Sequence, residues 1–385
     1  MLSSEVIGND SLKDKLRESV RHNRVSHAQL FLGPEGCGNL PMALAFAQYL
    51  NCENRGEDSC GECASCRQAS QLTHPDIHFT FPFIFNEKEK RLKCSDWMPE
   101  WRSFIGQNPY RDYTTWIRHI GKENKQGNIN ARECLDIIHR LSLKTFTNGY
   151  KVLILWLPEF LEKEGNRLLK LIEEPPDKTI FLFVGHNPDR ILNTILSRLQ
   201  VTRFSRLTDE EIAQGLAASD GLTEESARNI AILANGNMSR ALELVHVSAS
   251  DYTNDLYKWL VVCATPRIPD MIDWADKFRA LGREEQKAFL YYAIHVFREI
   301  LLMLNHAASL NRLTGKEMEL AGRLGKKLDA ERVERILQVF DRYIYYVERN
   351  ASAKILAMNL SVEIMHAFTR KSLPARQVFF KAADV

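Results

Sequence analysis

Gly33-Pro34-Glu35-Gly36-Cys37-Gly38-Asn39-Leu40 has the outline of a phosphate-binding loop. The working pattern is G-x-x-x-x-G-K-[ST]: backbone N–H groups cradle phosphates, Lys meets the β- and γ-phosphates, and the Ser/Thr hydroxyl holds Mg²⁺. Gly33 and Gly38 keep that spacing, with Gly36 between them, but Asn39 stands at the Lys position and Leu40 at the hydroxyl position. Asn is short and neutral, and Leu cannot coordinate a metal. These residues predict the frame of an ATPase with no intrinsic ATPase activity and no ATP held by this chain.

A second set is Cys52-x7-Cys60-x2-Cys63-x2-Cys66. Four thiolates make the closed tetrahedral shell of a structural zinc site, with no open position for a catalytic water. The C-x-x-C spacing lets a tight turn aim two sulfurs at one ion, and Gly61 suits such a turn. Free thiols, a redox pair and an iron–sulfur cluster are the competing readings. Cys37, Cys94, Cys134 and Cys263 are scattered and read as ordinary buried residues. His27 and His74 lack an evident nucleophile or carboxylate partner and are assigned no role.

Elements must hold these residues in place. The run 29–32 reads as a short buried strand ending at the glycine loop. Leu40, Ala43, Leu44 and Ala47 then recur at helical spacing, with Pro41 in the first turn. Residues 152–157 and 180–184 are continuous apolar runs, which suit strands buried on both faces of a parallel sheet. Between them 166–174 reads as a helix stopped by Pro175-Pro176. Cys134, Ile137, Ile138 and Leu141 form a helical stripe. Strands alternating with helices predict an α/β domain over 1–205. Residues 206–247 read as a small helical domain of two or three short helices, with Gly221 and Gly236 as breaks. Residues 248–385 read as helical throughout, with Ile336, Val339, Phe340, Tyr343 and Val347 on one face. The stretch 79–128 is rich in aromatics without a steady period and reads as a packed insertion with its own small cluster.

At 385 residues, 45% hydrophobic and 26% charged, the chain fits an ordinary globular protein of two or three domains. Its net charge of +2 has no concentrated basic run, so nucleic-acid contact is expected to be shared with partners. The first residues lack a basic n-region and an apolar core, so no signal peptide is expected. The apolar stretch 288–304 is broken by His295, Arg298 and Glu299 and reads as a buried helix. A cytoplasmic protein is expected, where clustered cysteines indicate metal over disulfides.

In order and spacing the chain resembles the delta-prime family of bacterial DNA polymerase III clamp-loader subunits, non-hydrolysing members of the AAA+ group. The resemblance rests on Ser26-His27-Ala28-Gln29-Leu30-Phe31-Leu32-Gly33-Pro34, the cysteine cluster, His74-Pro75-Asp76, Asn166 through Pro176, and Thr194-Ile195-Leu196-Ser197-Arg198. It covers about residues 5–245, and the C-terminal part fits by helical character alone. It implies an AAA+-like P-loop domain with a parallel sheet and zinc knuckle, a small helical lid, and an all-α collar that closes a ring. It also implies gamma/tau-like ATPase subunits and a delta subunit as partners, with the sliding clamp and primer-template DNA engaged through them.

The family's ATPase members carry an acidic pair after the central strand, where this chain has Trp156 and Leu157; Glu159, behind Pro158, is a poor substitute. Their sensor threonine is replaced at Gly185-His186, and Ser239 stands where their second sensor has Arg, with Arg240 one step off. Ser197-Arg198 survives from the family's Ser-Arg-Cys motif, with Leu199 in place of Cys. The resemblance makes Arg198 a finger reaching a neighbouring subunit's ATP; residue type alone makes it a solvated or salt-bridged surface group. Two alternatives stand beside this reading. One is an ATPase subunit of the same loader, disfavoured by Asn39. The other is a stand-alone zinc-dependent nucleic-acid-binding module, disfavoured because Glu53, Glu57, Asp58 and Glu62 outnumber Arg55 and Arg67 around the cysteines.

Overall fold

The computed structural model describes residues 1–85, 92–121, 126–147, 149–217, 222–245, 252–265, 267–305, 313, 315–349 and 351–369. Gly221, the tail 370–385 and parts of the 79–128 insertion lie outside the described residues. The chain divides into two compact units, Met1–Leu242 and Glu243–Val385.

The first unit is built on a parallel sheet of β1 (Ala28–Leu32), β2 (Ile77–Thr80), β3 (Lys151–Trp156), β4 (Thr179–Gly185) and β5 (Gln200–Arg203), in the order β2-β3-β4-β1-β5. Phe31, Val152, Ile154, Trp156, Ile180, Leu182 and Val184 face one core; Leu30, Leu32, Leu153, Leu155, Phe181 and Phe183 face the other. Every residue of β1, β3 and β4 is therefore buried, which is why their sequences run apolar without alternation. The edge strands β2 and β5 carry His78, Thr80, Gln200, Thr202 and Arg203 and give no such run.

Helices α1 (Asp10–Arg21), α2 (Asn39–Asn51), α3 (Ala64–Ser70), α4 (Met98–Gln107), α5 (Tyr113–His119), α6 (Ala131–Ser142), α7 (Leu169–Glu173) and α8 (Asn193–Leu196) complete this layer. All thirteen residues of α2 are buried, so its position behind the glycine loop is fixed on every side. The helix expected over 166–174 is α-helical only in α7; residues Glu162–Leu168 form a 3₁₀ helix instead. That segment buries Gly165 and Leu168 at three-residue spacing, the repeat of a 3₁₀ turn, and a Cβ on Gly165 would lie 2.6 Å from Ile195 Cδ1.

The aromatic insertion differs from expectation in a second respect. Among the described residues it has no separate cluster: Phe81, Trp101, Phe104 and Trp116 are fully buried and continuous with the sheet core, Trp101 lying 5.3 Å from Trp156 between ring centroids. Rings stacked and edge-on to one another satisfy their packing without helical or strand periodicity, which is why none shows in the sequence. Three short helices follow β5: α9 (Asp209–Ala217), α10 (Glu224–Ala234) and α11 (Met238–Val245). Asn235 and Gly236, both at positive φ, separate the last two.

The second unit consists of α12 (Tyr252–Ala264), α13 (Ile268–Ala280), α14 (Arg283–Leu304), α15 (Gly315–Gly325), α16 (Ala330–Glu348) and α17 (Ala353–Thr369). Trp259 packs against Trp274, Phe289 and Phe340, and its indole N–H donates to Ser361 Oγ at 3.0 Å. Ile336, Val339, Phe340, Tyr343 and Val347 are buried on α16. Among the described residues no helix is long and apolar enough to cross a membrane.

Candidate functional site

The glycine loop leaves β1 where the strand order reverses, between β4 and β5, the position at which parallel α/β sheets bind ligands. Three of the loop's carbonyl oxygens and the Asn39 side chain are engaged by the chain itself. Asn39 is buried, and its amide nitrogen donates to Gly185 O at 3.2 Å and Phe31 O at 3.5 Å, while its oxygen accepts from Leu40 N. Gly33 O faces His186 Nδ1 at 2.8 Å, Cys37 O accepts from Asn9 Nδ2 at 3.0 Å, and Gly36 O accepts from Met238 N at 3.1 Å. Burial pushes the Cys37 thiol up to about 11.

Gly36 shows how close this packing is. Its φ of +69° suits glycine, and a Cβ there would lie 2.0 Å from Asn237 Oδ1 and 2.7 Å from Met238 N. The start of α11 thus sits directly on the loop, with Asn237 Oδ1 also capping it through Arg240 N at 3.1 Å. From the insertion, Tyr110 leans over Gly38 and its hydroxyl accepts from Ile7 N at 2.6 Å. The cavity left among Glu35, Gly38, Tyr110, Arg111, Trp156 and His186 measures about 10 Å³. That falls short of the roughly 300–1,000 Å³ of small-molecule sites.

At the end of β3 stand Trp156 and Leu157, both buried. Glu159 is buried as well, and its Oε1 accepts from His186 N at 2.6 Å and Asn187 N at 2.8 Å. Its carboxylate therefore ties down the turn after β4. Ser239 is buried and Arg240 is half-buried, so the two neighbours on α11 occupy different faces.

Arg198 lies between α8 and β5. Its Nε and Nη2 contact Glu173 Oε1, and Nη1 donates to Thr194 O at 2.6 Å and Ser197 Oγ at 3.3 Å. Ser197 Oγ in turn donates to Thr194 O at 3.3 Å.

The four cysteines of the cluster converge. The sulfurs of Cys52, Cys60, Cys63 and Cys66 all lie within 4.8 Å of one another, and Cys60 and Cys66 are 3.9 Å apart. A tetrahedral site with Zn–S bonds near 2.3 Å sets sulfurs roughly 3.8 Å apart, so the donor set fits zinc. The backbone N–H groups of Cys60, Cys63 and Cys66 point at Cys52, Cys60 and Cys63 sulfurs respectively, each at 3.3 Å. The Cys63 and Glu62 N–H groups bring the Cys60 thiol down to about 6, whereas burial pushes Cys66 up. Gly61 holds the turn at φ +74°. Cys37, Cys94, Cys134 and Cys263 are buried and unpaired.

Asp76 is buried and accepts from Phe146 N, Thr147 N and Thr147 Oγ1 at 2.6–2.8 Å, pinning the loop before β3; His74 Nδ1 accepts from Asp76 N at 3.1 Å. His-Pro-Asp is thus a structural clasp. Glu133, also buried, binds Thr80, Cys94 N and Arg140 and secures the insertion to α6. Sequence reasoning assigned Asn9, Tyr110 and Asn237 no contact with the loop. Their contacts with the loop span 28 residues from Asn9 to Cys37 and about 200 from Asn237 to Gly36, and no local pattern carries them.

Residues 8–208 match the family model described as DNA polymerase III, delta subunit. Subunit delta' of DNA polymerase III from Bacillus subtilis (strain 168) is 26% identical over 229 residues, covering 60% of this chain and 56% of the relative. Subunit tau of the same organism is 27% identical over 260 residues, covering 66% and 38%. Subunit delta' from Escherichia coli (strain K12) is 24% identical over 317 residues, covering 81% of each. The chain thus spans about half or less of the length of the two Bacillus relatives.

Proposed function

From the premise that this chain belongs to the DNA polymerase III delta-subunit family of clamp-loader proteins, we propose that it is the non-hydrolysing, delta-prime-type member of the loader. The observation that carries the proposal is the filled glycine loop. The Asn39 amide is engaged with the backbone of β1 and β4, and Asn237 and Met238 sit against Gly36. A triphosphate would need that space, a Lys in place of Asn39 and a hydroxyl in place of Leu40. Trp156 and Leu157 offer no side-chain oxygen to a metal, and Oε1 of Glu159 is committed to the His186 and Asn187 amides.

On this reading the chain works in trans. Arg198 supplies a planar, permanently charged fork to ATP bound by a neighbouring gamma/tau-like subunit. Residues 206–247 are the lid, 248–385 the collar, and the delta subunit, sliding clamp and primer-template DNA are engaged through the assembly. Zinc, held by Cys52, Cys60, Cys63 and Cys66, supplies a structural cross-link and no reaction chemistry. These cysteines order the segment between α2 and α3.

The test is Arg198→Ala in the reconstituted loader. Assembly should persist while ATP-driven clamp loading slows by 10-fold or more, trans arginine fingers being worth roughly 10³–10⁵ in GTPases. Wild-type loading by the variant rejects the finger. The similarity to a tau subunit favours one second reading, an ATPase subunit of the same loader. Saturable binding of Mg·ATP by the isolated chain would support that reading against ours.

A further inference from the structure

Arg198 carries a carboxylate on the edge it would offer to phosphate. The guanidinium presents two donor edges, and the Nε–Nη2 edge grips an oxyanion side-on. In this chain Glu173, the last residue of α7, covers that edge with Oε1. The remaining nitrogen, Nη1, is turned back onto Thr194 O and Ser197 Oγ of the same chain. The fork is therefore folded against its own subunit, with each nitrogen engaged. An approaching phosphate would compete with Glu173 for the same two N–H groups, and the two anions would repel at that distance.

We infer that Glu173 is a latch on Arg198, resting on the finger reading above: it parks the guanidinium in cis until a neighbouring subunit's triphosphate displaces it. The latch is weak. Arg198 and Glu173 keep 36% and 46% of their side-chain surface exposed. An exposed ion pair of this kind contributes at most about 1 kcal/mol, which corresponds to about fivefold in an equilibrium constant. A latch of that strength holds the fork when no nucleotide faces it and yields to a phosphate that carries more charge. It also makes arrival of ATP next door and release of Glu173 one event. Glu173 thus acts through Arg198 without touching the nucleotide.

The experiment is ATP hydrolysis by the reconstituted loader with Glu173→Gln and Glu173→Ala, each alone and each combined with Arg198→Ala. The Ala variant should lower the KM for ATP by about two- to fivefold, and the Gln variant by less, because its amide oxygen still accepts. Turnover at saturating ATP should stay within about twofold, and the KM shift should vanish in the Arg198→Ala background. Melting of each single variant within about 2 °C of wild type excludes a folding effect. An unchanged or raised KM in both Glu173 variants overturns the latch, as does the same shift with Arg198 absent. The two readings fail separately. Arg198→Ala with wild-type turnover sinks the finger and the latch with it, whereas a slow Arg198→Ala beside neutral Glu173 variants sinks the latch alone.

Discussion

Replacing Gly36 with alanine puts a methyl group where Asn237 already sits. The added carbon would lie 2.0 Å from Asn237 Oδ1, 2.8 Å from its Cγ and 2.7 Å from Met238 N. Neither the side chain nor the backbone nitrogen can stay. Holding alanine at φ +69° costs about 1–2 kcal/mol by itself. If Asn237 withdraws, α11 loses the cap on Arg240 N, worth about 1 kcal/mol. The Met238 N to Gly36 O bond adds about 1 kcal/mol more. The sum is about 3–4 kcal/mol. For a unit the size of Met1–Leu242, that corresponds to a fall in Tm of roughly 6–15 °C. Calorimetry of the full chain reads it. Gly106→Ala is the control, since nothing lies within 4 Å of its Cβ position on α4, and it should be neutral or slightly stabilising. The pair Gly36→Ala and Asn237→Ala should be non-additive, because removing the Asn237 side chain relieves the worst contact. A Gly36→Ala chain melting within about 1 °C of wild type, or strict additivity in the pair, would refute the view that α11 is seated on the loop.

Three further outcomes follow from the same structure. Purified chain should carry one zinc per molecule by elemental analysis, and removing it with a chelator should lower the Tm and expose the four cluster thiols; rapid titration of all four thiols in the untreated chain would exclude the metal. Trp101→Ala should destabilise the first unit by about 3–5 kcal/mol, because the indole packs against Phe81, Trp116 and Trp156 in the sheet core; a loss under 1 kcal/mol in a denaturant melt would mean the insertion folds apart from that core. Burial, with help from Arg140, lowers His78 to about 4. Its unfolded value is near 6.5, so below that pH only the unfolded chain takes the proton. Stability is then complete above about pH 6.5 and declines toward pH 4, by at most about 3 kcal/mol from this group. His78→Phe should flatten that part of the stability–pH curve, and an unchanged slope would dismiss the assignment.

What could be read in the sequence divides along physical lines. β1, β3 and β4 were legible because burial on both faces leaves an uninterrupted apolar run. β2 and β5 were not, because edge strands carry polar residues and Ile77-His78-Phe79-Thr80 resembles any short loop. The convergence of the four cysteines was legible because Cys52 through Cys66 are close in the chain and two of the intervals are C-x-x-C turns. The contents of the loop were only half legible. Asn39 and Leu40 announce what is missing, but Asn237, His186 and Tyr110 reach the loop from distant segments, and nothing in their local sequence records it. Arg198 shows a similar gap. Its type and setting were plain, whereas its partner Glu173 is 25 residues away in a segment whose first half proved to be 3₁₀.

The glycines of the loop also bear on how such motifs are interpreted. In a working phosphate loop, glycine permits the backbone to approach an anion. Here Gly36 permits the same approach by a protein segment, Asn237 and Met238, whose side-chain amide and backbone N–H meet the loop. A glycine spacing can therefore persist after Lys and Ser/Thr are gone, because the loop still needs to be contacted closely. Here the group that meets Gly36 is not a ligand that comes and goes but Asn237 and Met238, part of the same chain. In this chain the Met238 N to Gly36 O bond and the Asn237 cap tie the start of α11 to the loop.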